Sequence, residues 1–359
     1  MIFNMKHLFY ILITSLCLLA GCGKEEADSA TPLPPAYGTL ELSLGGCVLP
    51  PSRATGVGYA AESALHRWAY WVFDEDGRPV QCREGQAQDN QLSLLSGRYT
   101  VVAVVNYPTD APWALPLVPS TRLDQLLASV TDLSCNSPAG LLMVGCDTVR
   151  LQAAQNTRLQ LEVRRLVSKV TVRKVSVAFE DPVLAARDTR LRGIYLTNVC
   201  RRTPYGADFT PDRLPQEREA WYNPLGWRAD SCAHAACDAL LGDTGLDRAL
   251  TPELPYTREH SFYPFPNPTP PSQDHRDGSW RVRSTRLVLE VAVGGGIYYY
   301  PIRIPAMARN HPYVAEEVIL RKLGSLDPEQ EIPGAVEVRL GWPETESQWD
   351  SDFTINEDS

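Results

Sequence analysis

The residue with the plainest chemistry is Cys22. It closes the run Leu19-Ala20-Gly21-Cys22, behind a cationic start at Lys6 and an apolar stretch from Leu8 to Leu19. A thiol at that place, preceded by two slim side chains, matches the bacterial lipoprotein processing site. There a diacylglycerol is attached to sulfur and a peptidase cuts just before the Cys. The apolar stretch is shorter than the roughly 20 residues needed to cross a hydrocarbon core as a helix, so a cleaved export signal is expected over residues 1–21. An ordinary secretory signal with an incidental Cys is the plainer alternative. Each buried acyl methylene contributes about 0.8 kcal/mol, so several chains on one residue would hold the protein to a membrane. Residues 22–36 are polar and then Pro-rich, and read as a flexible tether.

Other residue types that do chemistry are spread along the chain. Besides Cys17 and Cys22 there are Cys47, Cys82, Cys135, Cys146, Cys200, Cys232 and Cys237. Export permits disulfides, but pairing cannot be read from spacing, and an odd number leaves one thiol over. Cys232-Ala-His234-Ala-Ala-Cys237 lacks the second Cys/His pair of a zinc clip, so a structural thiol or a local disulfide is the better reading. Asp74-x-Asp76-Gly77 has the opening of a calcium loop without its later acidic ligands, and reads as a turn. Trp221, Tyr222 and Trp227 are the residues of an aromatic sugar platform, although packing of a Pro-rich loop is favoured. No nucleophile elbow and no His-Glu-x-x-His occurs. Catalysis, a metal and a cofactor are therefore not expected. A glycosidase carboxylate pair is left unsupported, because separations are invisible in sequence.

The elements that must position these residues are strands. The chain has 359 residues, 44% of them hydrophobic, with 29 Pro and 24 Gly and a net charge of -9. That length suits about two domains, the Pro and Gly content favours a loop-rich β architecture, and the charge disfavours nucleic acid as a partner. Leu40, Leu42 and Leu44 alternate with Glu41 and Ser43 as in a half-buried strand. Trp68 to Phe73 and Arg78 to Cys82 flank Asp74-Glu75-Asp76-Gly77 as a hairpin. Further strands are expected at 91–94, 98–105, 143–151 and 157–163, with 98–105 central, and one short helix within 121–130. Beyond Arg164 the apolar positions change parity, from Val170 and Val172 to Val175 and Val177. A bulge or bend is therefore expected at Arg173-Lys174. Strands at 193–199, 285–293, 297–304, 318–323 and 335–340 follow, with Gly294-Gly295-Gly296 as a turn. The expected organisation is an all-β protein with one β-sandwich over 37–164 and a second over 165–359, the latter carrying a Pro- and aromatic-rich insertion at about 201–271.

Several pieces in this order resemble the fimbrillin superfamily of Bacteroidales. They are Trp71-Val72-Phe73-Asp74-Glu75-Asp76-Gly77, Gly97-Arg98-Tyr99-Thr100-Val101-Val102-Ala103, Leu166-Val167-Ser168-Lys169-Val170 and Tyr195-Leu196-Thr197-Asn198-Val199. Phe262-Tyr263-Pro264-Phe265-Pro266-Asn267-Pro268 follows, and then the most specific stretch: Tyr298-Tyr299-Tyr300-Pro301-Ile302, Arg309-Asn310-His311-Pro312-Tyr313 and Leu323-Gly324-Ser325-Leu326-Asp327-Pro328. The resemblance implies two tandem transthyretin-like Greek-key sandwiches. It also implies a lipid-anchored subunit of a surface fimbrium at the outer membrane, in a homo- or hetero-polymer with other fimbrial subunits and with a host or bacterial surface ligand. In polymerising relatives a trypsin-like protease cuts after an Arg and frees the first strand, and a neighbour's strand fills the groove. Arg53-Ala54 is the matching candidate here, in a Pro-Ser-Arg-Ala-Thr-Gly segment, while an ordinary exposed Arg is the plain alternative. Anchor members keep lipid and strand. The C-terminal Phe353-Thr354-Ile355 alternates as a donated strand does, or belongs to a frayed tail. A surface glycan-binding lipoprotein of a polysaccharide-uptake system, motivated by Trp221, Tyr222 and Trp227, is the competing reading. A secreted hydrolase ranks last.

Overall fold

The computed structural model of the chain describes residues 36–45, 62–85, 90–115, 117–224, 238–269 and 281–340. Cys22, Cys47, Arg53, Ala54, Trp227, Cys232, Cys237 and the segment 349–359 lie outside the described residues.

Alternation in the first half lays down two facing sheets. The strands are β1 (Tyr37–Gly45), β2 (Trp68–Phe73), β3 (Pro79–Glu84), β4 (Gln91–Leu95), β5 (Gly97–Val105), β6 (Val130–Asp132), β7 (Met143–Leu151), β8 (Asn156–Glu162) and β9 (Arg164–Arg165). One sheet has the order β4-β1-β8 and the other β3-β2-β5-β7-β9, so β5 is central as its apolar run predicts. Leu40, Leu42, Tyr70, Val72, Val101, Ala103, Leu159 and Leu161 form the core that the sheets share. In β2 every residue is buried. Trp68, Tyr70 and Val72 face this core, whereas Ala69, Trp71 and Phe73 join a second cluster on the other side. That outer face is covered by Leu126 of helix α1 (Leu123–Ala128) and by Leu133, Leu141 and Leu142. The β2-β3 hairpin turns where expected. Gly77 takes φ 70, and the Asp74 carboxylate accepts from the backbone N–H groups of Asp76 (3.0 Å) and Arg78 (2.8 Å). Its use in this Asx-type turn is what places Asp and Gly there.

The second half also forms two larger sheets. Its strands are β10 (Lys169–Val172), β11 (Val175–Val177), β12 (Thr189–Thr197), β13 (Val199–Cys200), β14 (Arg202–Pro204), β15 (Trp221–Tyr222), β16 (Gly242–Asp243), β17 (Arg248–Ala249), β18 (His260–Phe262), β19 (Arg286–Val293), β20 (Gly296–Arg303), β21 (Pro312–Leu320) and β22 (Val336–Leu340). One sheet runs β11-β21-β10-β18 with β22 on β21; the other runs β16-β12-β19-β20 with β17 on β12. The change of parity at Arg173-Lys174 is a break between β10 and β11, and both pair with β21 in parallel. Gly294 (φ 59) and Gly295 (φ 88) make the β19-β20 turn, a backbone that residues with a Cβ rarely adopt.

The region 201–271 is more than an insertion on the second half. Its strand β14 pairs with β6 of the first half, Arg202 opposite Asp132 and Pro204 opposite Val130. One apolar cluster accordingly runs without interruption from Trp71 and Phe73 through Leu133 and Tyr222 to Val291 and Val318.

Candidate functional site

β1 is held through its backbone by strands on both sides. It is the first described strand and lies in the middle of its sheet. Tyr37 to Glu41 pair antiparallel with Leu95 to Gln91, and Thr39 to Gly45 pair parallel with Asn156 to Glu162. Backbone bonds hold it on both sides: Leu42 N–H donates to Asn90 O (3.0 Å) and Thr39 N–H to Gln155 O (2.9 Å). Leu40 is fully buried and Leu42 is 3% exposed. Gly38 is required by close approach, because a Cβ there would lie 2.4 Å from the carbonyl oxygen of Gln152. If β1 were absent, β4 and β8, with Leu92, Leu94, Leu159 and Leu161, would flank an unpaired slot. Unpaired strand edges of this kind bind another strand through main-chain bonds, with alternate side chains setting specificity.

A second constellation, not anticipated from sequence, lies where the halves meet. Glu62 is 2% exposed, and its Oε1 accepts from Lys169 Nζ (2.7 Å) and from the Tyr263 hydroxyl (2.6 Å). Its Oε2 is buried and has no partner among the described residues. Arg165 is fully buried; it donates through Nη2 to Ser63 Oγ (2.8 Å), through Nε to Glu62 O (3.2 Å) and through Nη1 to Asn310 Oδ1 (3.4 Å). Burial, and then the Glu62 carboxylate, push the Tyr263 phenol far above its ordinary value, so it stays a donor. The only sequence signal was Arg165 itself, a charge beside the apolar pair Leu166-Val167.

For Trp221 and Tyr222 the structure agrees with the favoured packing reading rather than with a sugar platform. Trp221 and Tyr222 are each 3% exposed. The Trp221 indole donates to Pro215 O (3.0 Å) and the Tyr222 hydroxyl to Asp132 Oδ1 (2.9 Å). They pack the 201–271 region, as Trp and Tyr do when their polar atoms find partners. Cys82, Cys135, Cys146 and Cys200 are free thiols, and burial pushes those of Cys82 and Cys200 up to about 11. Such thiols are poor nucleophiles.

No family model matches the chain, and no curated protein matches it in sequence. Solved structures do match in fold. A candidate cell adhesion protein from Bacteroides eggerthii is 16% identical with a TM-score of 0.56, over 85% of this chain and 94% of that one. Another from Parabacteroides distasonis is 13% identical with a TM-score of 0.54, over 85% and 98%. A fimbrilin from Porphyromonas gingivalis is 13% identical with a TM-score of 0.51, over 85% and 95%. The chain has the fimbrilin fold. The fimbrillin resemblance seen in the sequence thus agrees with the all-β fold over 85% of the chain.

Proposed function

We propose that this protein is a non-catalytic subunit of a bacterial surface fimbrium, exported as a lipoprotein through Cys22 and joined to its neighbours by strand addition. The observation that carries this reading is β1. It is a central strand at the start of the fold, with buried Leu40 and Leu42, and it is joined to the rest of the protein through the segment that contains Arg53-Ala54. Cutting there converts an intramolecular strand into a removable one. The alternation at Phe353-Thr354-Ile355 suits a replacement that fills the positions of Leu40 and Leu42. The likeness in fold to a fimbrilin supports the same role.

N-terminal mass analysis of protein taken from cells tests this. An unlipidated chain beginning at Ala54 in purified fibres is expected for a shaft or tip subunit. A lipidated Cys22 on the surface protein identifies an anchor. Cleaved chains that never assemble would sink strand addition. The glycan-binding alternative has lost its motive at Trp221 and Tyr222, whose rings are buried.

A further inference from the structure

The segment just downstream of the Arg53-Ala54 bond is held in an unusual way. Residues 62–67 precede β2 and belong to no strand; Glu62 is helical, and beyond it side chains and single backbone bonds hold the stretch. Glu62 and Ser63 are gripped by Lys169 and Tyr263 of the second half and by Arg165 of β9. Asn106 then grips the next stretch: its Nδ2 donates to Ala64 O (2.9 Å), its Oδ1 accepts from His66 N–H (2.9 Å), and its N–H donates to Arg67 O (2.7 Å). Asn106 takes φ 56 to do so.

Arg67 is exposed, and the Arg67-Trp68 bond leads directly into β2. It offers a trypsin-like protease the same side chain as Arg53. Proteases act on locally opened chain, so an exposed Arg is safe only while its neighbours stay bound. Downstream, β2 is paired on both sides by β3 and β5 and opens only with its sheet. Between residues 62 and 67 there is no ladder. A cut at Arg53-Ala54 makes a new chain end upstream of Glu62, and chain ends are where opening starts.

We infer that the Glu62–Ser63 clamp is the stop that confines strand release to the chain before residue 62 and shields the Arg67-Trp68 bond from the protease that frees β1. This rests on the processing reading above and adds to it the residues that set which Arg is cut. Buried charges suit the task. An ion pair taken out of water adds little net stability, but loss of one partner leaves the other charge stranded, so the grip is all or nothing. The clamp also joins the two halves, because Glu62 and Ser63 belong to the first and Lys169 and Tyr263 to the second.

The test is trypsin titration of the full mature chain in detergent, with each bond followed by mass spectrometry. Wild type should accumulate a body beginning at Ala54 with Arg67-Trp68 intact. In Glu62→Ala, cutting after Arg67 should be at least about tenfold faster, with cutting after Arg53 unchanged, because cleavage tracks the open population. Tyr263→Phe, which removes one bond to Glu62, should lie between. It decides the matter alone if a melting curve shows that Glu62→Ala fails to fold. Rapid cutting after Arg67 in wild type, or an unchanged rate in a folded variant, overturns the clamp. Resistance of Arg53-Ala54 in wild type counts against the processing reading instead, and the rates after Arg67 still judge the clamp.

Discussion

At Leu42 a single side chain carries part of the slot. It is buried among Leu92, Leu159 and their neighbours in the first core, where surrounding strands leave little room to collapse. Leu42→Ala is expected to destabilise the first half by about 2–5 kcal/mol, read from denaturant midpoints. His260 offers a second test at this scale. Its ring is stacked between Tyr256 and Phe262, and its Nε2 lies 2.7 Å from the Tyr256 hydroxyl. Burial holds its pKa below the ordinary 6.5; Asp243 opposes this and Arg258 adds to it. The unfolded chain therefore takes up the proton first as pH falls. Stability is full above the unfolded value and is lost as pH drops through the window down to the depressed folded value. Melting temperatures at about pH 8 and about pH 5 should differ less in His260→Gln than in wild type, and an equal difference would remove His260 from the acid response.

Among elements, β1 and β3 make a contrast that the sequence half reveals. Both alternate or nearly so, yet β1 is central and β3 is an edge. Apolar period told which face of each strand is buried, and Gly and Asp told where the β2-β3 and β19-β20 hairpins turn. These are local signals. Which strands neighbour β1 depends on β4 and β8, the latter more than a hundred residues away, and no local pattern encodes that. The break at Arg173-Lys174 was legible because a change of parity must be absorbed somewhere. The Glu62 cluster was not, because its members come from residues 62–63, 165–169, 263 and 310. The Pro tolerance of the two strands should show the difference. Thr39→Pro removes the N–H that Gln155 O accepts, inside a strand paired on both sides, and should cost about 1–3 kcal/mol or more. Val80→Pro, at the irregular register of edge strand β3, should cost much less. Equal losses by chemical denaturation would contradict the assigned topology.

For the whole molecule the question is whether its two halves behave as two bodies. Tandem domains that touch little unfold separately, whereas a shared core couples them. Here β14 from the 201–271 region completes a ladder with β6, and one apolar cluster spans the join. Asp132 stands at its centre, fully buried, accepting from Ser134, from Arg201 Nε (2.8 Å) and from the Tyr222 hydroxyl (2.9 Å). Burial alone would raise its pKa; the bonds from Ser134, Arg201 and Tyr222 outweigh this and hold the carboxyl below the ordinary range. An ionised group so placed is strongly favoured only while the halves are together. Calorimetry of the wild-type chain at neutral pH is therefore expected to show one transition, with calorimetric and van't Hoff enthalpies in agreement. Asp132→Asn keeps the shape but takes away the charge that Arg201 faces, and should lower that transition and broaden it toward two. Two resolved transitions in wild type would show that the continuous cluster does not couple the halves. The clamp at Glu62 would then have to hold the first half to the second largely by itself.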